Sequence, residues 1–281
     1  MERVPVVFIE NVMRNSSSRE VFFLGEYCGG RWSALAKKTF DFPGVTVCIG
    51  VSGDSVYYRL FHRKTNEAFD LSLLDPKKNH IEMIEIDKRR HWGFPLLTEE
   101  VLAKLKKTLE SGRRRLRSLY IKTDCGGCPQ VLQLLDSLLS IKQCVVYVDD
   151  RRLNPFYTKI LEQTVELFSI GLRKDSIINE EFGELLRIAL KDYRLKGVSL
   201  RVSDDNKTVC DKMVNTILYE ITWHKSCKIQ LGRCYKNELT SFKSSLKPSG
   251  CKDLFEAANG TQIELTERPN FNVSCYYNYR V

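Results

Sequence analysis

The sequence predicts an α/β protein built from a short N-terminal trihelical segment, a β-hairpin and then an irregular α/β solenoid. The first supporting observation is that short apolar runs and longer helical stretches alternate across residues 80–246. The second is their spacing, because the strand onsets lie roughly 22–35 residues apart, within the range of solenoid repeats. The third is that the apolar runs alternate internally, as where Tyr120 separates Leu119 from Ile121. Such alternation indicates strands with one dry and one wet face.

A doubly wound parallel sheet fits the same order of elements. The central strands of such a sheet are covered on both faces and read as continuous apolar runs. Here polar residues interrupt the runs, as in residues 197–202 and 227–231. If one face of the sheet is wet, helices cover the other face only, as in a curved solenoid of the leucine-rich-repeat kind. We therefore predict the solenoid.

The pattern divides the chain into four segments. Residues 1–42 read as three short helices, the first opened by Pro5 and ended by a serine run. Residues 43–79 alternate about a Ser-Gly-Asp-Ser turn and predict a β-hairpin with adjoining linker. Residues 80–246 form the repeat array. Residues 247–281 carry a β-branched and aromatic run that predicts a C-terminal β cap on an exposed edge.

Composition excludes several classes of protein. The chain has 281 residues, of which 43% are hydrophobic and 28% charged, which argues against disorder and collagen-like repeats. No run of eighteen apolar residues occurs, so we expect no membrane-spanning helix and no membrane partner. The apolar stretch Val4–Ile9 is too short for the hydrophobic region of a signal peptide. We expect an intracellular protein, cytoplasmic or nuclear, whose ten cysteines are mostly free thiols.

No sequence motif of a known reaction is present. The chain has no GxxxxGK[ST], no GxGxxG and no GxSxG. Cys125 and Cys128 form a Cys-x-x-Cys, the pattern of redox dithiols and of half a zinc site. A tight strand-to-helix turn that needs two glycines would explain the same segment without chemistry. We therefore predict that the chain is not an enzyme and has no catalytic residue, metal or cofactor, with a redox role for this pair as an alternative.

Basic residues concentrate in one short segment. Residues 99–122 hold eight basic and three acidic residues, so more than half of the net charge of +9 lies there. The segment favours a surface for an acidic ligand or nucleic acid, although a solvated helix face explains it equally well. Together with polar residues of other predicted strands, the candidate ligand-binding residues are Arg113, Arg114, Arg115, Arg117, Tyr120, Lys122, Tyr147 and Arg201.

The N-terminal segment resembles the F-box. It opens with Val4-Pro5, continues with apolar residues on one helical face, and carries Arg31-Trp32 at the start of its third helix. With the hairpin and the α/β array behind it, the chain is similar to the F-box-like families that are expanded in nematodes. The opening VPVVFIENV and the closing CYYNYRV are also similar in style to those families.

The resemblance implies a non-catalytic adaptor of a ubiquitin ligase. In such an adaptor the F-box docks on a Skp1-type subunit of a cullin-RING ligase, and the C-terminal array holds a protein substrate. The residues that the resemblance assigns to docking, or to packing within the trihelical unit, are Pro5, Phe8, Ile9, Val12, Leu24 and Trp32. The alternative function is nucleic-acid or acidic-ligand binding through the basic segment 104–122.

Overall fold

The computed structural model divides the chain into two compact units, Met1–Ile141 and Lys142–Val281. It describes residues 4–15, 26–40, 44–76, 78–88, 93–111, 115–147, 150–163, 165, 167–172, 184–186, 188–189, 197–202, 227–232, 246–248, 254–257, 262–266 and 270–275. No helix within these residues is long and apolar enough to cross a membrane.

The first unit opens with the amphipathic helix α1 (Val6–Asn15). Pro5 stands directly before it, and its carbonyl accepts hydrogen bonds from the N–H groups of Phe8 and Ile9 at 3.0 and 3.2 Å. Proline suits this position because the first turn of a helix has no intrahelical use for its N–H. The helix predicted to start at Pro5 is therefore confirmed.

A second amphipathic helix, α2 (Gly30–Phe40), packs against α1. Gly29 and Gly30 lead into it with φ of +60° and +51°, a left-handed conformation that favours glycine. The helix predicted between these two lies largely at residues 16–25, outside the described residues. The two helices share a small apolar core, formed by the buried residues Ile9, Met13, Trp32 and Ala36.

Four strands form the sheet of the first unit: β1 (Gly44–Ser52), β2 (Ser55–His62), β3 (His80–Asp87) and β4 (Leu116–Ile121). β1 and β2 pair antiparallel about a turn in which Gly53 has a φ of +57°, which confirms the predicted hairpin. β3 pairs parallel with both β1 and β4, so the order is β2-β1-β3-β4.

The connections of this sheet carry three short helices. They are a 3₁₀ turn (Leu71–Leu73), α3 (Glu99–Glu110) and α4 (Pro129–Asp136). α3 begins where the Thr98 side chain accepts a hydrogen bond from the Val101 N–H, because its hydroxyl satisfies one of the unpaired donors of the first turn. The apolar face of α3 is buried, while its other face carries the lysines of the basic segment.

Among its described residues, the second unit contains a helix, a 3₁₀ turn (Arg151–Leu153) and a mixed set of strands. The elements are β5 (Ile141–Val146), α5 (Asn154–Gln163), β6 (Leu167–Leu172), β7 (Gly197–Val202), β8 (Cys227–Gly232), β9 (Leu246–Pro248), β10 (Leu254–Ala257), β11 (Gln262–Thr266) and β12 (Asn270–Cys275). β5, β6 and β7 pair parallel in chain order. β12 then lies between β7 and β8, antiparallel to both, and β8 pairs parallel with β11. The C-terminal run was expected at an exposed edge, and its strand lies instead between two others.

The predicted solenoid is wrong, and the fold is a mixed α/β fold. In the first unit β3 and β4 pair parallel, and in the second unit β5, β6 and β7 do so. A solenoid adds each strand beside the previous one, whereas here the last strand of the chain separates β7 from β8. The assumption of one wet face also fails for β4, because its neighbouring residues Ser118 and Leu119, which point to opposite faces, are both buried. Strands buried on both faces are typical of layered α/β folds.

Candidate functional site

The residues assigned to docking do not form one surface. Ile9 and Trp32 are buried in the core shared by α1 and α2. Val12 is half-buried against the same core, whereas Pro5 is exposed and Phe8 is 55% exposed. Leu24 lies outside the described residues. The helical period that indicated a partner-binding face therefore marks the inner face of the helix pair.

The adaptor function predicted from the sequence is wrong. It required a solenoid whose polar strand face holds a substrate, and the fold has no such repeat array within the described residues. It also required Ile9 to face a docking subunit, and Ile9 is fully buried within its own unit. The resemblance to F-box-like families stays a prediction, because neither observation tests whether this chain is related to those families.

Two cations of the basic segment are paired with carboxylates. Arg117 Nη1 donates to Glu82 Oε1 at 3.2 Å, and Lys122 Nζ donates to Glu85 Oε1 at 2.6 Å. Both acids lie on β3, the strand that pairs with β4. Each carboxylate offsets a positive charge that would otherwise attract an anionic ligand.

The remaining candidates of the predicted ligand surface are dispersed. Arg115 Nη2 donates to the Ile141 carbonyl at 3.2 Å, and Tyr120 is half-buried on β4. In the second unit Tyr147 is exposed just after β5, and Arg201 lies on β7 opposite Asn270 of β12. Arg113 and Arg114 lie outside the described residues. Arg115 and Tyr120 thus belong to the first unit, and Tyr147 and Arg201 to the second.

Cys125 and Cys128 lie together where the chain passes from β4 to α4. The N–H of Cys128 donates to the carbonyl of Cys125 at 3.0 Å, which closes a tight turn through Gly126 and Gly127. A turn of this kind holds its first and fourth Cα atoms within about 7 Å. Disulfides span Cα separations of about 4.4–6.8 Å, so the turn brings the two cysteines within bridging range.

Cys128 is also the N-cap residue of α4. Pro129 occupies the first helical position, and the Cys128 carbonyl accepts from the N–H of Leu132 at 3.1 Å, the first hydrogen bond of the helix. The Cys128 side chain makes no capping hydrogen bond.

The glycines of this turn are not required by its backbone conformation. Among the described glycines, positive φ occurs at Gly29, Gly30, Gly53 and Gly93, and Gly126 and Gly127 are not among them. A turn with negative φ at both central residues accepts most residue types. The backbone conformation of the turn therefore does not require glycine at these two positions. The sequence-based explanation, a tight strand-to-helix turn that needs two glycines, is not supported by these φ angles.

Other described thiols differ from this pair. Cys28 and Cys48 are half-buried, and Cys144 is fully buried on β5, where burial raises the pKa of its thiol far above the ordinary value. No group of three or more His, Cys, Asp or Glu residues in the described part of the chain is placed to hold a metal ion. The geometry at Cys125 and Cys128 thus suits a dithiol.

Comparisons with known proteins add little. No family model matches the chain, and no curated protein matches it. Among solved structures, the chain is similar to MycE methyltransferase from the mycinamycin biosynthetic pathway in complex with Mg and SAH. That match has a TM-score of 0.23 and 9% sequence identity, and covers 99% of this chain and 94% of the other. At that score the similarity supports no conclusion about fold or activity.

Proposed function

We propose that this protein is a thiol redox protein in which Cys125 and Cys128 interconvert between a dithiol and a disulfide. The observation that carries the proposal is the turn in which the Cys128 N–H donates to the Cys125 carbonyl at 3.0 Å. The turn lies between the carboxyl end of β4 and the N-terminus of α4. The proposal replaces the expectation that the chain performs no reaction.

The chemistry balances with a disulfide-containing oxidant such as oxidised glutathione. The two protein thiols lose two electrons and two protons, one S–S bond forms between Cys125 and Cys128, and the oxidant becomes two thiols. Reduced glutathione reverses the reaction. The pair belongs in an intracellular compartment, cytoplasmic or nuclear, where thiol reductants keep the dithiol as the resting form. Cys28, Cys48, Cys125, Cys128 and Cys144 are not in disulfides in this structure.

Binding of an anionic ligand or nucleic acid receives less support from the geometry. Two of the cations that would attract phosphate, Arg117 and Lys122, are paired with Glu82 and Glu85. A phosphate contact would have to displace these carboxylates, and each displacement costs the energy of an existing charge pair. The cysteine pair requires no such displacement.

To test the proposal, the intact protein is equilibrated in glutathione buffers that cover a range of reduction potentials. The thiols are then trapped by acid quenching and alkylation, and the protein is denatured and digested with trypsin. Cleavage after Lys122 and Lys142 gives a peptide that contains Cys125 and Cys128 and no other cysteine. We expect this peptide to become lighter by two hydrogen atoms and to resist alkylation under oxidising conditions. Its reduction potential should lie above about −300 mV, the range of labile rather than structural disulfides.

The Cys144→Ser variant is the matched control because Cys144 is a buried thiol in the adjacent tryptic peptide. The transition should be unchanged in this variant. If both cysteines of the 123–142 peptide stay fully alkylated at every potential, or form bridges only with other cysteines, the proposed function is wrong.

A further inference from the structure

We infer that residues 93–97 form a strap that closes the outer edge of β2, and that the edge beneath it fits β2 of a second copy of this chain. The outer edge is the side of β2 that faces away from β1, its partner in the hairpin. An exposed strand edge is a template for pairing with another chain. The strap and β2 belong to the first unit, and the cysteine pair takes no part in this contact.

The strap binds the edge of β2 as a short antiparallel strand would. An isolated antiparallel bridge joins the two segments. The Tyr58 N–H donates to the Pro95 carbonyl at 3.0 Å, and the Leu97 N–H donates to the Val56 carbonyl at 2.8 Å. These hydrogen bonds occupy backbone groups that a partner strand would otherwise use.

A second segment covers the next stretch of the same edge. The Phe69 N–H donates to the Leu60 carbonyl, and the His62 N–H donates to the Glu67 carbonyl, both at 2.8 Å. This segment follows β2 directly in the chain, whereas the strap belongs to the connection between β3 and α3. Release of the strap alone would therefore uncover the edge around Tyr58, while the stretch bonded to the second segment stays covered.

The strap itself buries little apolar surface. Pro95 is exposed, and Leu96 is 55% exposed. Phe94 is half-buried, and its ring centroid lies 5.1 Å from the guanidinium carbon of Arg59. Leu97 is buried and anchors the strap just before α3 begins. A segment with so little burial opens at a lower free energy than the core strands do.

The uncovered stretch of β2 is complementary to itself. Two identical strands related by a two-fold axis pair antiparallel, and a register centred on Tyr58 places Arg59 of each copy opposite Tyr57 of the other. These two side chains share a face of β2 because they are two residues apart. Each guanidinium thus gains a tyrosine ring in place of Phe94. A register centred on Arg59 would oppose two like charges, which is destabilising.

The experiment compares wild type with Phe94→Ala by amide hydrogen exchange at increasing protein concentration. At low concentration, removal of the ring beside Arg59 should raise exchange at the Tyr58 and Leu97 amides about two- to fivefold, which corresponds to the loss of one exposed cation–π contact. The His62 amide bonds to the second segment on the same edge. It is the internal control and should exchange as in wild type.

High concentration separates pairing of two copies from simple opening. In the dimer the Tyr58 N–H donates to the Tyr58 carbonyl of the other copy, whereas the Leu97 N–H gains no partner. The Tyr58 amide of Phe94→Ala should therefore regain protection as the concentration rises, while the Leu97 amide does not. Sedimentation should show a monomer–dimer equilibrium, and adding Arg59→Ala should weaken it because both contacts between Arg59 and Tyr57 are lost.

Leu73→Ala is the matched control, because it truncates an exposed apolar side chain outside the strap. It should behave as wild type, and association equal to that of Phe94→Ala would overturn the inference. A Phe94→Ala variant that stays monomeric, or whose association is unchanged by Arg59→Ala, would also overturn it.

Wild type provides a measurement that needs no variant. The Tyr58 and Leu97 amides should exchange together, through an opening smaller than global unfolding. If either amide exchanges only when the whole unit unfolds, the strap does not release and the inference is wrong.

Discussion

Replacing Ile9 with alanine should destabilise the α1–α2 pair, whereas the same change at the neighbouring Phe8 should not. Ile9 is 0% exposed, and its packing partners in the core include Met13 and Trp32. The substitution removes three buried carbon atoms, at about 0.8 kcal/mol each, and leaves a cavity. Because Val12 and other residues at the rim are only half-buried and can move inward, we expect a total of about 2–3 kcal/mol.

Native-state hydrogen exchange measures this effect locally. A loss of about 2–3 kcal/mol should lower the protection of the amides in residues 6–15 and 30–40 by about 30- to 160-fold. Amides of β1 and β3 should change much less, because the cluster of Ile9, Met13, Trp32 and Ala36 is confined to the two helices. A uniform loss across the whole first unit would contradict this confinement.

Phe8→Ala is the matched control. Phe8 is 55% exposed, so its truncation should change stability by no more than about 0.5 kcal/mol. If Phe8→Ala lowers protection as much as Ile9→Ala does, α1 presents the opposite face to its core and the assignment of the inner face is refuted.

Two further predictions concern charge. Lys122→Met should lower the free energy of unfolding in urea titration by about 1–2 kcal/mol, because it leaves the Glu85 carboxylate, which is 23% exposed, without its ion-pair partner. Arg117→Met should lower it by less than about 0.5 kcal/mol, because the Arg117 side chain is 60% exposed. Equal losses would contradict this ranking. Burial, and then the nearby Asp70, raise the pKa of Tyr58 above its ordinary value of 10.0. The folded state therefore retains this proton longer than the unfolded state, so stability is full below pH 10.0 and falls as the pH rises beyond it. Tyr58→Phe should flatten that decline in thermal unfolding at alkaline pH, and an unchanged slope would contradict the assignment.

The local elements could be predicted from the sequence because their causes are local. The hairpin follows from period-two alternation and from Gly53, whose φ of +57° suits glycine. α1 follows from Pro5 and a helical period of apolar residues. Neither inference needs information about residues distant in the chain.

The topology could not be predicted because its causes are distant in sequence. Polar residues such as Tyr120 and Lys122 suggested a wet face of β4, yet Ser118, on the same side of that strand, is buried. A small hydroxyl side chain can be accommodated in an interior once it is hydrogen-bonded. Strand β12 pairs with β7 and β8, which lie far from it along the chain. No local pattern distinguishes this insertion from pairing at an edge.

The same limit applies to the charges. A count within residues 99–122 shows an excess of cations, but the carboxylates that engage Arg117 and Lys122 lie 35 and 37 residues away. Parallel pairing of β3 with β4 brings them together. The sequence therefore showed the excess of cations and could not show that Arg117 and Lys122 are paired with carboxylates.

The cysteine pair is easier to interpret as a redox site than as a structural bridge. A disulfide across residues 125 and 128 would close a loop of four residues, which constrains the unfolded chain by only about 2 kcal/mol, against about 4.7 kcal/mol for a loop of a hundred residues. Hydrogen bonding already holds the turn in the dithiol state. Oxidation and reduction would therefore change the chemistry at the carboxyl end of β4 while the fold around it is retained, as a reversible dithiol requires.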